Sequence, residues 1–200
     1  LSLEITNEND EKVSVKIKGV PLQYANALRR ICLNGVPIYA VESVDVLENS
    51  SVLADEGVAH RVGLIPLKTD LESSKADNEN DKIMLTLDSG ISDETRTILS
   101  GDLKSQDNNV APTSNDIPIV TLAPGQSIKF EAHARLGKGT EHARWNSANV
   151  ATLTDTEKDD EKLLTVESTG ALSPKHIILS SVEQLASKLS EFKTIISEIK

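Results

Sequence analysis

The most regular apolar pattern in the chain lies in its C-terminal segment and predicts one long helix. Ser173 is a suitable N-cap and Pro174 a suitable first helical residue, because the first turn leaves its N–H groups unpaired in any case. Beyond them, apolar residues recur at alternating spacings of four and three: Ile178, Val182, Leu185, Leu189, Phe192, Ile196 and Ile199. A heptad seam of this kind is typical of a helix that packs lengthwise against another helix.

The length of this helix favours a partner outside its own domain. A helix from Pro174 to Lys200 is roughly 40 Å long at ~1.5 Å per residue, more than a small domain needs to cover its own sheet. Its seam carries too much apolar surface to remain in water. The alternative, that the helix packs only on its own domain, stays open at this point.

Alternation of apolar and polar residues predicts several strands and a fold of the α+β class. The alternating residues are Leu3 and Ile5; Val13, Val15 and Ile17; Val44 and Val46; Ile83, Leu85 and Leu87; Ile128 to Leu136; and Leu164 with Val166. The first two groups form a hairpin across the polar turn from Asn7 to Glu11. Asp70–Lys82 and Thr154–Lys162 are polar and predict exposed segments, and Asp88–Asn115 predicts short elements joined by loops.

A helix is predicted from Leu22 to Leu33, where Leu22, Ala25, Leu28 and Cys32 share one face. Gly35-Val36-Pro37 ends it. Arg29 and Arg30 are about 100° apart on such a helix, so at most one of them shares the apolar face.

The composition argues against several kinds of site. Cys32 is the only cysteine, so an intrachain disulfide, a zinc site of four cysteines and a cysteine-ligated iron–sulfur cluster are excluded by counting. The histidines show no metal-ligand spacing, and no catalytic Ser/His/Asp set can be assigned. We therefore expect no metal, no cofactor and no catalytic residue.

Charge and apolar run length restrict the partners and the compartment. The net charge of −10 and the scarcity of aromatic residues disfavour nucleic acid as the primary partner. No apolar run approaches the length of a membrane span or a secretion signal, so a cytoplasmic protein is expected.

Three runs in the chain resemble the RNA polymerase alpha-like family. The first is Ala25-Asn26-Ala27-Leu28-Arg29-Arg30-Ile31 with Val36-Pro37 and Val41-Glu42-Ser43-Val44. The second extends from Glu48-Asn49-Ser50-Ser51 to Ala59-His60-Arg61-Val62-Gly63-Leu64-Ile65-Pro66-Leu67, and the third is Lys138-Gly139-Thr140-Glu141-His142-Ala143-Arg144-Trp145. They occur in the family's order, and the heptad helix stands where the family has its dimerisation helix.

The resemblance implies a discontinuous dimerisation domain, residues 1–46 and 148–200, built from an antiparallel sheet and two helices. Residues 47–147 would form an inserted, mainly-β domain. Some archaeal members of the family carry a cysteine-rich insertion that holds an iron–sulfur cluster. This chain departs from them, because it has one cysteine and passes almost directly from Trp145 to the final strand.

The function implied by the resemblance is that of a non-catalytic assembly platform in an archaeal DNA-dependent RNA polymerase. The chain would pair with subunit L, recruit the second-largest catalytic subunit, and share the platform with the small subunits N and P. The residues expected to meet subunit L are Leu22, Ala25, Leu28, Cys32, Ile178, Val182, Leu185, Leu189, Phe192, Ile196 and Ile199. Those expected to meet the large subunit are Arg30, His60, Arg61, Lys138 and Arg144.

Simpler readings of the same residues remain open. The paired arginines and the histidines would then be ordinary solvated side chains, and Gly137-Lys138-Gly139 a bare hairpin turn without the spacing of a phosphate-binding loop. The competing functions are a heterodimeric scaffold outside transcription and an isolated hydrolase.

Overall fold

The computed structural model describes residues 2–70, 82–158 and 160–199. They form an antiparallel α+β fold, as predicted. The helices are α1 (Leu22–Asn34), α2 (Asp55–Gly63) and α3 (Pro174–Glu198). The strands are β1 (Ser2–Glu8), β2 (Lys12–Lys18), β3 (Ile38–Asn49), β4 (Ile83–Asp88), β5 (Arg96–Leu99), β6 (Lys104–Ser105), β7 (Pro118–Leu122), β8 (Ile128–Gly137), β9 (Ala148–Asp155) and β10 (Glu161–Ser168).

The chain divides into two compact units. Leu1–Pro37 and Lys138–Lys200 form one, called here the discontinuous unit, and Ile38–Gly137 form the other, the inserted unit. The boundaries expected from the sequence, 46/47 and 147/148, lie further along the chain. The reason for the difference is that β3 and β8 pair with each other from Ile38 opposite Gly137 to Asn49 opposite Ile128, so both strands belong to the inserted unit.

The discontinuous unit has a four-stranded antiparallel sheet in the order β1-β2-β10-β9. The predicted hairpin of β1 and β2 is confirmed, and its turn is closed by Asn9, whose Oδ1 accepts hydrogen bonds from the amides of Glu11 and Lys12. One face of β2 is buried. On the same sheet, α1 packs against β9 and β10, and α3 against β10 and β2.

The inserted unit combines a sheet of order β3-β8-β4-β6 with the two-stranded β5–β7 pair and α2. Its core is mainly aliphatic and includes the aromatic residues Phe130, which is 1% exposed, and Tyr39, which is 6% exposed. The short helix α2 was not predicted. Val58 and Val62 are its only large buried residues, and two residues one turn apart give no readable period.

Two further strands, β7 and β9, were also not predicted as separate elements. Each carries an interrupted apolar pattern along an edge of a sheet, where only part of the strand is buried. The alternating segments in β2, β3, β4, β8 and β10 were predicted correctly.

The predicted polar segments have different outcomes. Most of Asp70–Lys82 lies outside the described residues. Thr154–Lys162 is a shorter turn than expected, because Thr154 and Asp155 end β9 while Glu161 and Lys162 begin β10. Among the described residues, no helix combines the length and the apolar composition that crossing a membrane requires.

Candidate subunit interface

The start of α3 is determined by local chemistry and agrees with the sequence prediction. Ser173 is the N-cap, its Oγ accepts a hydrogen bond of 3.3 Å from the His176 amide, and Pro174 occupies the first turn. The cap satisfies one of the amides that a helix start leaves unpaired. The cap therefore fixes the residue at which the long helix begins.

The long helix has two adjacent apolar faces with different environments. Its own unit covers the face formed by Pro174, Ile177 and Ser181, all of which are buried. The predicted heptad seam lies beside this face, because Ile178 and Val182 each follow a buried residue by one position, about 100° around the helix. The unit's own packing therefore uses a neighbouring stripe and leaves the seam available.

The seam is open along most of its length. Ile178 and Leu185 are half-buried, while the remaining seam residues are between 50% and 72% exposed: Val182, Leu189, Phe192, Ile196 and Ile199. Leu179 and Ile195 widen the same surface and were not included in the sequence prediction. They lie beside the strict heptad positions, so only an i, i+3, i+4 search for a wider stripe would have found them.

The predicted stripe of α1 serves mainly the unit's own core. Ala25 and Cys32 are almost completely buried within the chain, at 1% and 0% exposure. Leu28 is half-buried, and Leu22 is exposed at the start of the helix. Of the four α1 residues expected to meet subunit L, Leu22 and Leu28 thus have side-chain surface exposed on the chain, whereas Ala25 and Cys32 do not.

Cys32 joins the two helices of the discontinuous unit. Its thiol lies beside the buried side chain of Ser181 on α3, and burial raises the pKa of the Cys32 thiol to about 11 despite the hydrogen bond with Ser181. A thiol with this pKa stays protonated near neutral pH and is a poor nucleophile. The only cysteine in the chain therefore has a packing role.

The paired arginines of α1 have different environments, as their angular separation requires. Arg29 Nη1 donates to the Ala151 carbonyl oxygen on β9 at 3.2 Å, and Arg29 Nε donates to Asn26 Oδ1 at 2.9 Å. Arg30 is exposed, and within the described residues no hydrogen bond or ion pair engages its guanidinium. One arginine thus stabilises the unit, and the other points into solvent.

The loop from Lys138 to Trp145 is anchored to both helices of the discontinuous unit. Lys138 Nζ donates to Gln184 Oε1 on α3 at 3.0 Å, and the Thr140 amide donates to the Asn34 carbonyl at the end of α1 at 3.2 Å. Gly139 lies so close to α1 that an added Cβ would be 2.8 Å from Asn34 Cβ. The loop is therefore a packed element rather than a bare hairpin turn.

The end of this loop forms a small cluster around the buried Trp145. The Arg144 guanidinium lies 5.5 Å from the centroid of the Trp145 ring, and His142 Nδ1 accepts the Arg144 amide at 3.1 Å. The His142 ring meets the indole edge-on at 6.5 Å. These contacts hold Arg144 over an aromatic face, where a cation is attracted to the ring.

The remaining two predicted contact residues lie on α2 in the inserted unit. Arg61 Nη1 donates to the Ile119 carbonyl oxygen on β7 at 3.0 Å, which fastens α2 to that strand. His60 is exposed. The described part of the chain contains no group of three or more His, Cys, Asp or Glu side chains arranged to hold a metal ion.

Comparison with known proteins identifies a family. Residues 44–168 match the family model described as the RNA polymerase Rpb3/RpoA insert domain. This match covers more than half of the chain and extends from β3 to the end of β10.

Several archaeal relatives are named DNA-directed RNA polymerase subunit Rpo3. The chain is 42% identical to the Pyrococcus horikoshii protein over 146 residues and 43% identical to the Thermococcus kodakarensis protein over 151 residues. These alignments cover 72% and 75% of this chain but only 56% and 58% of the relatives, so the chain spans a little over half of their length.

A third relative is covered almost completely. The Methanocaldococcus jannaschii subunit Rpo3 is 38% identical over 172 residues, which are 86% of this chain and 84% of that protein. Together with the match over residues 44–168, this shows that the chain belongs to the RNA polymerase Rpb3/RpoA family, whose archaeal members are named subunit Rpo3.

Proposed function

We propose that this chain is a non-catalytic assembly-platform subunit of an archaeal DNA-dependent RNA polymerase in the cytoplasm. It pairs with subunit L, and the pair then recruits the second-largest catalytic subunit, with the small subunits N and P on the same platform. Family membership and the name of the relatives support a place in the polymerase. The observation that carries the proposal is the open apolar seam of α3.

The free energy that burial of the seam side chains would contribute explains why the seam needs a partner. Complete burial of an aliphatic or Phe side chain contributes about 1.5–3 kcal/mol, so even half of that, summed over the seam, reaches several kcal/mol. The residues from Ala186 to Ile199 are all exposed, and α3 there contacts little of its own unit. A second amphipathic helix laid along the seam would bury this surface in the way a coiled coil does.

We assign recruitment of the large subunit to five polar residues, called here the polar set: Arg30, His60, Arg61, Lys138 and Arg144. Arg30 is the strongest candidate, because it is exposed, lies on the side of α1 opposite Leu28 and Cys32, and has no partner among the described residues. A guanidinium in this state can bind a carboxylate through two parallel hydrogen bonds.

The other members of the polar set are already bonded or lie on other surfaces. Lys138 and Arg144 are held in place by their neighbours in the 138–145 loop. His60 and Arg61 offer a separate contact on the inserted unit. Family membership argues against the alternative of a scaffold outside transcription.

Leu189→Asp tests the pairing. Leu189 is 51% exposed, so the isolated variant should keep its fold, whereas a complex would bury an unpaired charge at a cost of several kcal/mol. We expect size-exclusion chromatography with subunit L of the same organism to show loss of the complex. Ser187→Asp is the matched control, because it places the same charge on the same helix, on the side away from the seam. Equal binding by both variants would exclude the seam as the interface.

A further inference from the structure

Strand β9 is an edge of the four-stranded sheet, and it carries no charge along most of its length. The order β1-β2-β10-β9 leaves one side of β9 without a neighbouring strand. Its residues from Ala148 to Thr154 include Val150, Thr152 and Leu153, but no charged residue, proline or glycine. An uncharged segment of this length, with residues that favour strands, is typical of edges to which another strand can add.

The opposite edge of the sheet is protected by its own sequence. Strand β1 contains Glu4 and Glu8, and its pairing with β2 shifts in register between Ile5 and Asn7. Charges and bulges of this kind hinder the addition of a further strand. From Val150 to Thr154, β9 pairs regularly with β10 and carries no charge, so it lacks both kinds of protection over this stretch.

The hydrogen-bond register shows which backbone groups of β9 lie on its open side. The Ser168 amide donates to the Glu11 carbonyl oxygen at 2.8 Å, so the backbone of Ser168 faces β2. Backbone groups of successive residues in a strand face alternate neighbours, so Thr165 faces β9, where it pairs with Thr152. Thr152 therefore faces β10, and the adjacent Ala151 turns its N–H and C=O groups to the open side.

The carbonyl group of Ala151 on this open side is engaged by α1. Arg29 Nη1 donates to the Ala151 carbonyl oxygen at 3.2 Å, and Arg29 Nε donates to Asn26 Oδ1, which holds the side chain in place. Arg29 is half-buried, so its guanidinium lies against the strand. It brings a positive charge to the middle of the uncharged segment. A strand that approached this edge would first have to displace the guanidinium.

We propose that Arg29 guards the β9 edge, and that its guanidinium prevents a second copy of this chain from adding its own β9 there. This inference is independent of the function proposed above, because it concerns the chain by itself. A second copy is the occupant because it brings an identical uncharged strand, and two such edges can pair antiparallel about a two-fold axis. The guard thus keeps free chains from joining edge to edge.

The test compares the two neighbouring arginines of α1. Arg29→Met removes the guanidinium and keeps most of the aliphatic stem and the helix propensity. Arg30→Met is the matched control, because it removes the same charge from the next position and leaves the Arg29 bond to β9 intact. We expect sedimentation velocity to show that Arg29→Met self-associates at least about tenfold more tightly than Arg30→Met or the wild type. Association through the α3 seam would be common to all three chains.

Two further measurements locate the contact. The amides of Ala151 and Leu153, which both face the open side, should exchange hydrogen more slowly in the associated Arg29→Met chain. Adding Thr152→Lys to Arg29→Met returns a positive charge to β9 at an exposed position. This double variant should sediment as the wild type does, because like charges would lie close together across the paired edges.

Several outcomes would overturn the inference. The first is that Arg29→Met associates no more than Arg30→Met. The second is that it associates while the amides of β9 exchange as in the wild type, or while Thr152→Lys leaves the association unchanged, since either result would place the contact elsewhere. The third is that association appears only as Arg29→Met unfolds, followed by circular dichroism, which would assign the arginine to folding alone.

Discussion

The Ser147 hydroxyl donates a hydrogen bond of 2.9 Å to the carbonyl oxygen of Cys32, and both residues are completely buried. Cys32 lies in the last turn of α1, where carbonyl groups have no partner within the helix. The hydroxyl of Ser147, the residue just before β9, therefore satisfies a helix end inside the core. This bond also ties α1 to the strand that follows the 138–145 loop.

Ser147→Ala should destabilise the discontinuous unit. The change leaves the Cys32 carbonyl buried without its partner, which costs about 1–3 kcal/mol. The measurement is urea unfolding followed by the fluorescence of Trp145, the only tryptophan, which lies buried in this unit. Ser187→Ala on the exposed side of α3 is the control and should change the free energy of unfolding by less than about 0.5 kcal/mol. Equal effects of the two variants would show that the bond contributes nothing.

The pKa of Cys32 predicts a loss of stability at alkaline pH. Burial raises the thiol pKa from 9.0 to about 11, so the folded chain holds this proton where the unfolded chain has released it. The contribution of the protonated thiol to the free energy of unfolding is complete below pH 9 and disappears as the pH rises to about 11. It amounts to about 3 kcal/mol at most, at about 1.4 kcal/mol for each pKa unit. The stability difference between wild type and Cys32→Ala should narrow over this range, because lysine and tyrosine titration is common to both proteins. A constant difference from pH 8 to pH 11 would contradict the prediction.

Substitutions of the two arginines of α1 should have different effects, Arg29→Ala on stability and Arg30→Ala on assembly. Arg29→Ala removes the bonds to Ala151 and Asn26 and should lower the free energy of unfolding by about 0.5–1.5 kcal/mol. Arg30→Ala should leave both the stability and the pairing with subunit L unchanged. Loss of an interfacial charge partner costs about 2–5 kcal/mol, so we expect Arg30→Ala to weaken recruitment of the large subunit about 30-fold or more.

Reconstitution in two stages checks the Arg30 prediction, first the pair with subunit L and then the larger assembly. An Arg30→Ala pair that recruits the large subunit as the wild type does would remove Arg30 from that contact. An Arg30→Ala chain that never pairs with subunit L would show that the residue acts at the earlier step.

Gly139→Ala should loosen the 138–145 loop. The new Cβ would clash with Asn146 Oδ1 and lie 2.9 Å from Asn34 Cα, and the second contact is with helix backbone. Overpacking of this kind costs about 1–3 kcal/mol. Hydrogen exchange of the Thr140 amide, which is bonded to Asn34, should become faster in the variant. Thr140→Ala, which keeps this backbone bond, is the control; similar exchange rates in the two variants would mean that the glycine is not required there.

The elements with a long regular period were predictable from the sequence. The cap at Ser173, the proline after it and the heptad spacing identified α3 and its seam, because these signals depend only on residues a few positions apart. The hairpin of β1 and β2 followed from alternation and from Asn9 for the same reason. The choice of the seam as a subunit interface remains a prediction that rests on its exposure.

Other features depended on contacts between distant parts of the chain. Two apolar stripes lie side by side on α3, and only the packing of Ile177 and Ser181 shows which of them the unit uses for itself. The burial of Ala25 and Cys32, and the bond that holds Arg29 rather than Arg30, likewise come from β9 and its neighbours.

The sequence by itself determined where the regular helices and strands lie and which of their faces are apolar, because local spacing carries that information. Only the tertiary structure decided what covers each face. The partner of the Cys32 carbonyl is a serine 115 residues away, and no periodicity within one segment can indicate such a contact.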